Sequence, residues 1–277
     1  MQGRAAKILI RALMYLLLAV GALLTLLPFL WMLSTSLKDP SEVLKMPPGL
    51  VPDVWRPDNY LRALATAPFS AYFLNTVVVT VISTALTLFF SILAAFGFSR
   101  LTFPGRDILF AVLLATLMIP GEMLVITNFV TISNLHLMDT RTALILPFAA
   151  NVFYIYLLKQ FFMQMPEALY LAAKVDGCRD WRYLWKVMVP NNRHAISTIA
   201  ILNAIGCWNA FLWPLMVTNS EEKRVLSIGL VHFQTEAGTQ YELLMAASSI
   251  LVMPMILLYL VLHKQVMSGV TRSGIKG

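Results

Sequence analysis

Ala71–Phe98 reads AYFLNTVVVTVISTALTLFFSILAAFGF, with no charged residue from end to end. A membrane-crossing helix needs about 20 predominantly apolar residues, and this stretch exceeds that length. It lacks the period-2 alternation of a barrel strand. Five further stretches qualify on either side of it: Ala12–Leu33, Ile108–Val130, Thr142–Leu158, Ala195–Val217 and Leu243–Leu262. The sequence therefore predicts an all-α membrane protein with six transmembrane helices.

Composition agrees. Hydrophobic residues make up 58% and charged residues 13% of the 277, against roughly 25% charged in ordinary globular chains. Mean hydropathy is +0.73. So few charges cannot cover a water-facing surface, which argues against a water-soluble enzyme and against a disordered chain. Two cysteines, Cys178 and Cys207, are too few for a disulfide framework. The net charge of +7 suggests nucleic acid only until the charges are placed. With the N-terminus in the cytoplasm, the 21 Lys and Arg residues divide about two to one in favour of the inside, as the positive-inside rule requires. The basic excess is topological, and no nucleic-acid partner is expected.

Arg4, Lys7 and Arg11 precede the first apolar run, as in a signal peptide. The run is longer than a signal core and lacks a small-x-small cleavage site before Trp31. It reads as an uncleaved first span. Both termini are then cytoplasmic.

Two loops are long. Lys38 to about Ser70 is extracytoplasmic, and Pro40, Pro47, Pro48, Pro52 and Pro57 preclude a long helix there. Loop 159–194 is cytoplasmic. A third, Thr218–Glu242, is expected outside, polar and acidic. Prolines inside the spans (Pro28, Pro120, Pro147, Pro214, Pro254) should bend them. The chain divides into 1–70 (first helix and extracytoplasmic loop), 71–265 (transmembrane domain containing loop 159–194) and 266–277 (cytoplasmic tail).

The cytoplasmic loop contains Met165-Pro166-Glu167-Ala168-Leu169-Tyr170-Leu171-Ala172-Ala173-Lys174-Val175-Asp176-Gly177-Cys178. Pro166 suits a first helical turn, Glu167 favours the N-terminal dipole, and Gly177 suits a C-cap. A short helix over about 166–175 follows, with Leu169, Ala172 and Ala173 on one small face open to close approach. Trp181, Leu184, Trp185 and Met188 repeat at helical spacing and predict a second, interfacial helix ended by Pro190. By pattern alone this is a surface helix pair beneath the spans.

Pro166, Leu169, Ala172, Ala173, Asp176, Gly177 and Pro190 stand at the spacing of the EAA loop, and here the sequence resembles the permeases of ABC importers. Trp208-Asn209-Ala210-Phe211-Leu212-Trp213-Pro214-Leu215 is similar to the fifth span of carbohydrate permeases. Ser268–Gly277 is similar to the tail of maltose-system G-subunit-like proteins. Phe103-Pro104-Gly105 and Met118–Glu122 also fit. Two positions depart from the pattern. The glutamate that gives the loop its name is replaced by Leu171, since Glu167 lies four residues earlier, and the alanine after Asp-Gly is Cys178. The ATPase contact made by that glutamate is therefore not transferred to Glu167.

The resemblance implies the type I ABC importer permease fold in a bacterial or archaeal inner membrane. It implies a sugar or polyol cargo, a second permease forming a heterodimer, two cytoplasmic ATPase subunits and an extracytoplasmic sugar-binding protein. Leu169, Leu171, Ala172, Ala173, Asp176, Gly177 and Pro190 would form the ATPase-coupling loop. Glu122, the one carboxylate deep in an expected span, joins Trp208 and Asn209 as candidates for the translocation pathway. No catalytic residue or cofactor is expected. There is no P-loop, so ATP hydrolysis belongs to another chain. The four histidines lack metal-ligand spacing. The rival reading is a secondary carrier or channel subunit, which would be expected to carry more ionisable groups in its spans.

Overall fold

The computed structural model describes residues 2–236 and 238–271, with side chains described for 9–236 and 238–260. The chain divides into two compact units, Met1–Pro68 with Leu230–Pro254, and Phe69–Gly229 with Met255–Gly277.

In the first unit, α1 (Gln2–Ser36) exposes its apolar side chains over residues 9–30, as a helix in lipid does. The proline-rich segment beyond it forms only α2 (Pro40–Val43) and α3 (Asp58–Ala65). Buried polar groups fold it: the Glu42 carboxylate accepts the N–H groups of Asp53 and Val54, each at 2.9 Å. The Asn59 amide donates to the carbonyls of Ser36 and Lys38. A two-residue hairpin pairs β1 (Gln234–Thr235) with β2 (Gly238–Thr239).

The second unit is built on α4 (Phe69–Arg100), one unbroken helix of 32 residues. It is followed by α5 (Arg106–Thr116), a 3-10 turn (Gly121–Leu124) and α6 (Val125–Asn134). Next come α7 (Arg141–Ile145), a 3-10 turn (Leu146–Phe148) and α8 (Val152–Met163). Loop 159–194 supplies α9 (Glu167–Val175), α10 (Asp180–Tyr183), a π turn (Leu184–Met188) and α11 (Val189–Asn191). Then follow α12 (Arg193–Trp208), α13 (Leu212–Val217) and a 3-10 segment (Leu226–Phe233) that runs on into the first unit. The last helix, α14 (Tyr241–Thr271), belongs to both units.

Among the described residues, three helices are long and apolar enough to cross a membrane unaided: Leu9–Ser36, Phe69–Arg100 and Tyr241–Leu260. The other expected spans are broken. At Pro120-Gly121 the third turns by 90°, because a 3-10 turn starts after the extended proline. The fourth bends by 48° between Phe148 and Val152, where the Asn151 side chain caps a new helix by accepting the Tyr154 N–H. The fifth divides into α12 and α13. Pro214 has no N–H for the Ala210 carbonyl, and that oxygen instead accepts the Ser227 hydroxyl at 2.6 Å.

The loop expected to be polar over Thr218–Glu242 is buried along Val225–Gly229. The side chain of Asn75 on α4 donates to the carbonyls of Glu222 and Arg224 and accepts the Arg141 guanidinium. Thr76 accepts the Leu226 N–H at 2.8 Å. The segment is thus sewn to the N-terminal end of α4.

Candidate functional site

Loop 159–194 is a folded element resting on a buried cluster. Tyr170 from α9, Tyr183, Leu184 and Met188 from the following helical turns, and Phe162 from α8 pack with Phe96 of α4. The rings of Tyr170 and Tyr183 meet edge to face at 5.1 Å, and Tyr170 meets Phe96 at 6.4 Å. The Tyr170 hydroxyl and Lys174 Nζ converge on Asp180 Oδ1 and tie α9 to α10.

Helix α9 ends as the glycine foretold. Gly177 has φ +73°, its N–H reaches the Lys174 carbonyl at 3.0 Å, and the Cys178 N–H reaches the Ala173 carbonyl at 2.8 Å. These two bonds make a Schellman cap. An added Cβ at Gly177 would meet open space, so backbone conformation alone selects glycine there.

The expected docking face is redistributed. Leu169 and Ala172 are exposed, but Ala173 is half-buried and packs against the aromatic cluster. The outward apolar face is instead Ala168, Leu171, Ala172 and Val175, at i, i+3, i+4 and i+7, with Leu171 55% and Val175 88% exposed. Asp176 and Glu167 are exposed. The second helix does not end at Pro190. It runs on to Asn191 through the π turn, in which the Val189 N–H bonds the Leu184 carbonyl. Such a widened turn relieves the ladder ahead of a proline.

The pathway candidates do not come together as one site. Glu122 is exposed at the 90° break and has no side-chain partner among the described residues. Trp208 is buried, its ring edge-on to Phe73 at 5.7 Å, whereas Asn209 is exposed. What the helices of the second unit do line is a partly open cavity of about 260 Å³. Phe148, Tyr154 and Trp213 bring aromatic rings to its wall, and Asn151, Asn203 and Thr76 bring polar groups. Trp213 is fixed by its indole N–H on the Ala143 carbonyl, and the Asn203 amide donates to Thr84. Asn75, Asn203 and Arg100 were missed in the sequence reading, although two amides within apolar spans and a cation at a span end are legible signals. The side chains of the tail motif Ser268–Gly277 lie outside the described residues.

Comparison with known proteins places this architecture. Residues 87–271 match the family model of the binding-protein-dependent transport system inner membrane component. The chain is 34% identical to the diacetylchitobiose uptake system permease protein NgcG of Streptomyces coelicolor, covering 94% of this chain and 87% of that one. It is also 34% identical to the arabinooligosaccharides transport system permease protein AraQ of Bacillus subtilis, covering 92% of each. The crystal structure of a bacterial ABC transporter involved in the import of the acidic polysaccharide alginate contains a chain that superposes with a TM-score of 0.82 at 26% identity, covering 94% of this chain and 97% of that one. The chain belongs to the family of binding-protein-dependent transport system inner membrane components, and its fold is the all-α type I permease fold of ABC importers. It is a membrane transport subunit.

Proposed function

We propose that this chain is one of two permease subunits of an ATP-driven importer for a sugar or related polyol. A second permease completes the heterodimer, two cytoplasmic ATPase subunits supply the energy, and an extracytoplasmic sugar-binding protein delivers the cargo. Both termini and loop 159–194 face the cytoplasm. Residues 1–70 form the first helix and outer loop, 71–265 the transport domain, and 266–277 the tail.

The observation that carries the coupling role is the two-sidedness of α9. Its inner face is locked by Tyr170 and Ala173, while Leu171 and Val175 stand exposed in a stretch too polar at its ends to lie in lipid. A fixed helix with an uncovered apolar face suits a protein partner. Leu171 at the usual acid position makes that contact apolar. Leu169, Ala172 and Asp176 border the contact, and Gly177 and Pro190 shape the loop around it. Transport is then alternating access: closure of the ATPase dimer moves α9, and the spans follow as rigid bodies. The cavity's mix of aromatic faces and amides suits carbohydrate, as do the cargoes named for the relatives.

The test is reconstitution. Proteoliposomes with both permeases, the ATPase and the binding protein should accumulate sugar on addition of ATP. Vesicles holding only this chain should not. Accumulation driven by an imposed pH gradient alone would establish the rival reading, a secondary carrier.

A further inference from the structure

We propose that Arg100 is a positioning residue that locks the coupling helix α9 to the inner end of α4. The inference rests on the coupling reading above and adds the joint through which α9 is held.

The need for such a joint follows from the chain between α8 and α9. Helix α8 ends at Met163, and Pro166 can neither continue a helix nor donate an N–H. The Phe161 and Phe162 carbonyls keep only the bonds of a final tightened turn, from the Gln164 and Met165 N–H groups at 3.2 and 3.3 Å, and among the described residues no backbone N–H reaches the Met165 carbonyl. Left so, residues 163–166 would be a hinge, and α9 would move independently of the spans. Arg100, the final residue of α4, fills the gap. Its Nη2 donates to the Phe162 carbonyl and to the Met165 carbonyl, each at 2.7 Å. Both are short, charge-assisted bonds, made by a cation at a helix C-terminus where the dipole favours it.

The same turn of α4 grips α9 a second time. Phe96, one turn before Arg100, carries the ring that meets Tyr170. From the far side of the loop, the Asn192 side chain donates to the Met165 sulfur at 3.1 Å and to the Met188 carbonyl at 2.9 Å. Met165 is thus held from both ends of the loop. Because Asn75 and Thr76 fix the outer end of the same unbroken helix to segment 222–226, α4 joins the outer loop to the coupling helix. Arg100 is the polar fastening at its inner end.

The experiment compares Arg100→Ala, Arg100→Lys and Arg106→Gln in the fully assembled importer. Arg106→Gln removes a positive charge from the same boundary and so controls for topology. Two quantities are read: amide exchange along the chain, and sugar transported per ATP hydrolysed. Arg100→Ala should raise exchange in residues 163–178 by about tenfold, in line with the loss of hydrogen bonds to a charged donor, while residues 69–99 stay protected. Transport per ATP should fall at least ~10-fold with assembly retained, for the same lost bonds. Arg100→Lys, which keeps a cationic nitrogen with several N–H groups, should recover most of both. Arg106→Gln should change neither. Unchanged exchange at 163–178 in Arg100→Ala overturns the proposal, and so does a rise spread equally over 69–99, which is a folding defect alone. Local loosening with normal transport per ATP would confirm the clamp and defeat the coupling role of α9 instead. Should Arg100→Ala fail to assemble, Arg100→Gln set against Arg100→Lys carries the same comparison.

Discussion

The Tyr170 hydroxyl donates to Asp180 Oδ1 at 2.7 Å, and Lys174 Nζ reaches the same oxygen at 2.6 Å. One carboxylate oxygen therefore joins a buried tyrosine and an exposed lysine on α9 to the first turn of α10. Tyr170→Phe keeps the ring contacts and loses one hydrogen bond. It should cost about 1 kcal/mol, measured as greater protease sensitivity of the loop at unchanged membrane levels.

The same cluster sets a pH window. The Lys174 hydrogen bond, then that of Tyr170, holds the Asp180 carboxyl below its ordinary 3.8. The Asp180 hydrogen bond lifts Lys174 above 10.5. A lowered acid stabilises above its unfolded value and fails as pH falls through its folded one; a raised base does the reverse. Loop protection should be level between about 4 and 10. It should decline below and above that range; Asp180→Asn should abolish the acid decline and only reduce the alkaline one, because burial, before the Asp180 hydrogen bond, raises Tyr170 above its ordinary 10.0. Limited proteolysis across pH checks this.

Gly177→Val forces a β-branched residue to φ +73° without a clash. The cost is conformational, about 1–2 kcal/mol or more. The variant should insert normally and lose binding-protein-stimulated ATP hydrolysis, while Gly177→Asn, better suited to that conformation, should keep most of it. Equal rates for wild type and Gly177→Val would contradict the cap's importance.

The two faces of α9 predict two different failures. Leu171→Asp and Val175→Asp should leave the loop folded and lower the yield of co-purified ATPase, because a charge then meets an apolar contact. Ala173→Glu should instead open the loop, since that position faces the aromatic cluster. Glu167→Ala should change neither. Co-purification and protease resistance, measured together, separate the cases.

Gly229 predicts a stability effect far from α9. A Cβ there would stand 2.6 Å from Phe69 Cε1 and 3.2 Å from Tyr72 Cδ2. Gly229→Ala should cost about 1–3 kcal/mol by overpacking, read as a lower thermal transition of the purified complex. Phe69→Leu should recover part of it.

The features legible in the sequence were those with a one-dimensional signature. The unbroken run at 71–98, the lack of a long helix in the proline-rich segment 38–70 and the glycine cap at 177 all follow from local chemistry. The family followed from the order of motifs along the chain. Three-dimensional partners were not legible. Ala173 shares a helical stripe with Leu169 and Ala172, and only the aromatic cluster beneath it turns it inward. Pro190 signals a helix end, yet the π turn before it carries the helix past. Segment 225–229 sits in an otherwise polar loop, and its burial depends on Asn75 and Thr76, some 150 residues earlier. In one dimension Arg100 is only one more basic residue at the end of a span, because its two carbonyl partners lie across the fold.

The most direct test of the account is site-specific photo-cross-linking in the intact importer. A photoreactive residue replacing Val175, on the exposed face of α9, should form an adduct with an ATPase subunit. One replacing Leu44, in the outer loop, should form none. An adduct from Val175 to the binding protein, or adducts to the ATPase from Leu44 and not from Val175, would contradict both the coupling role of α9 and the orientation of the chain.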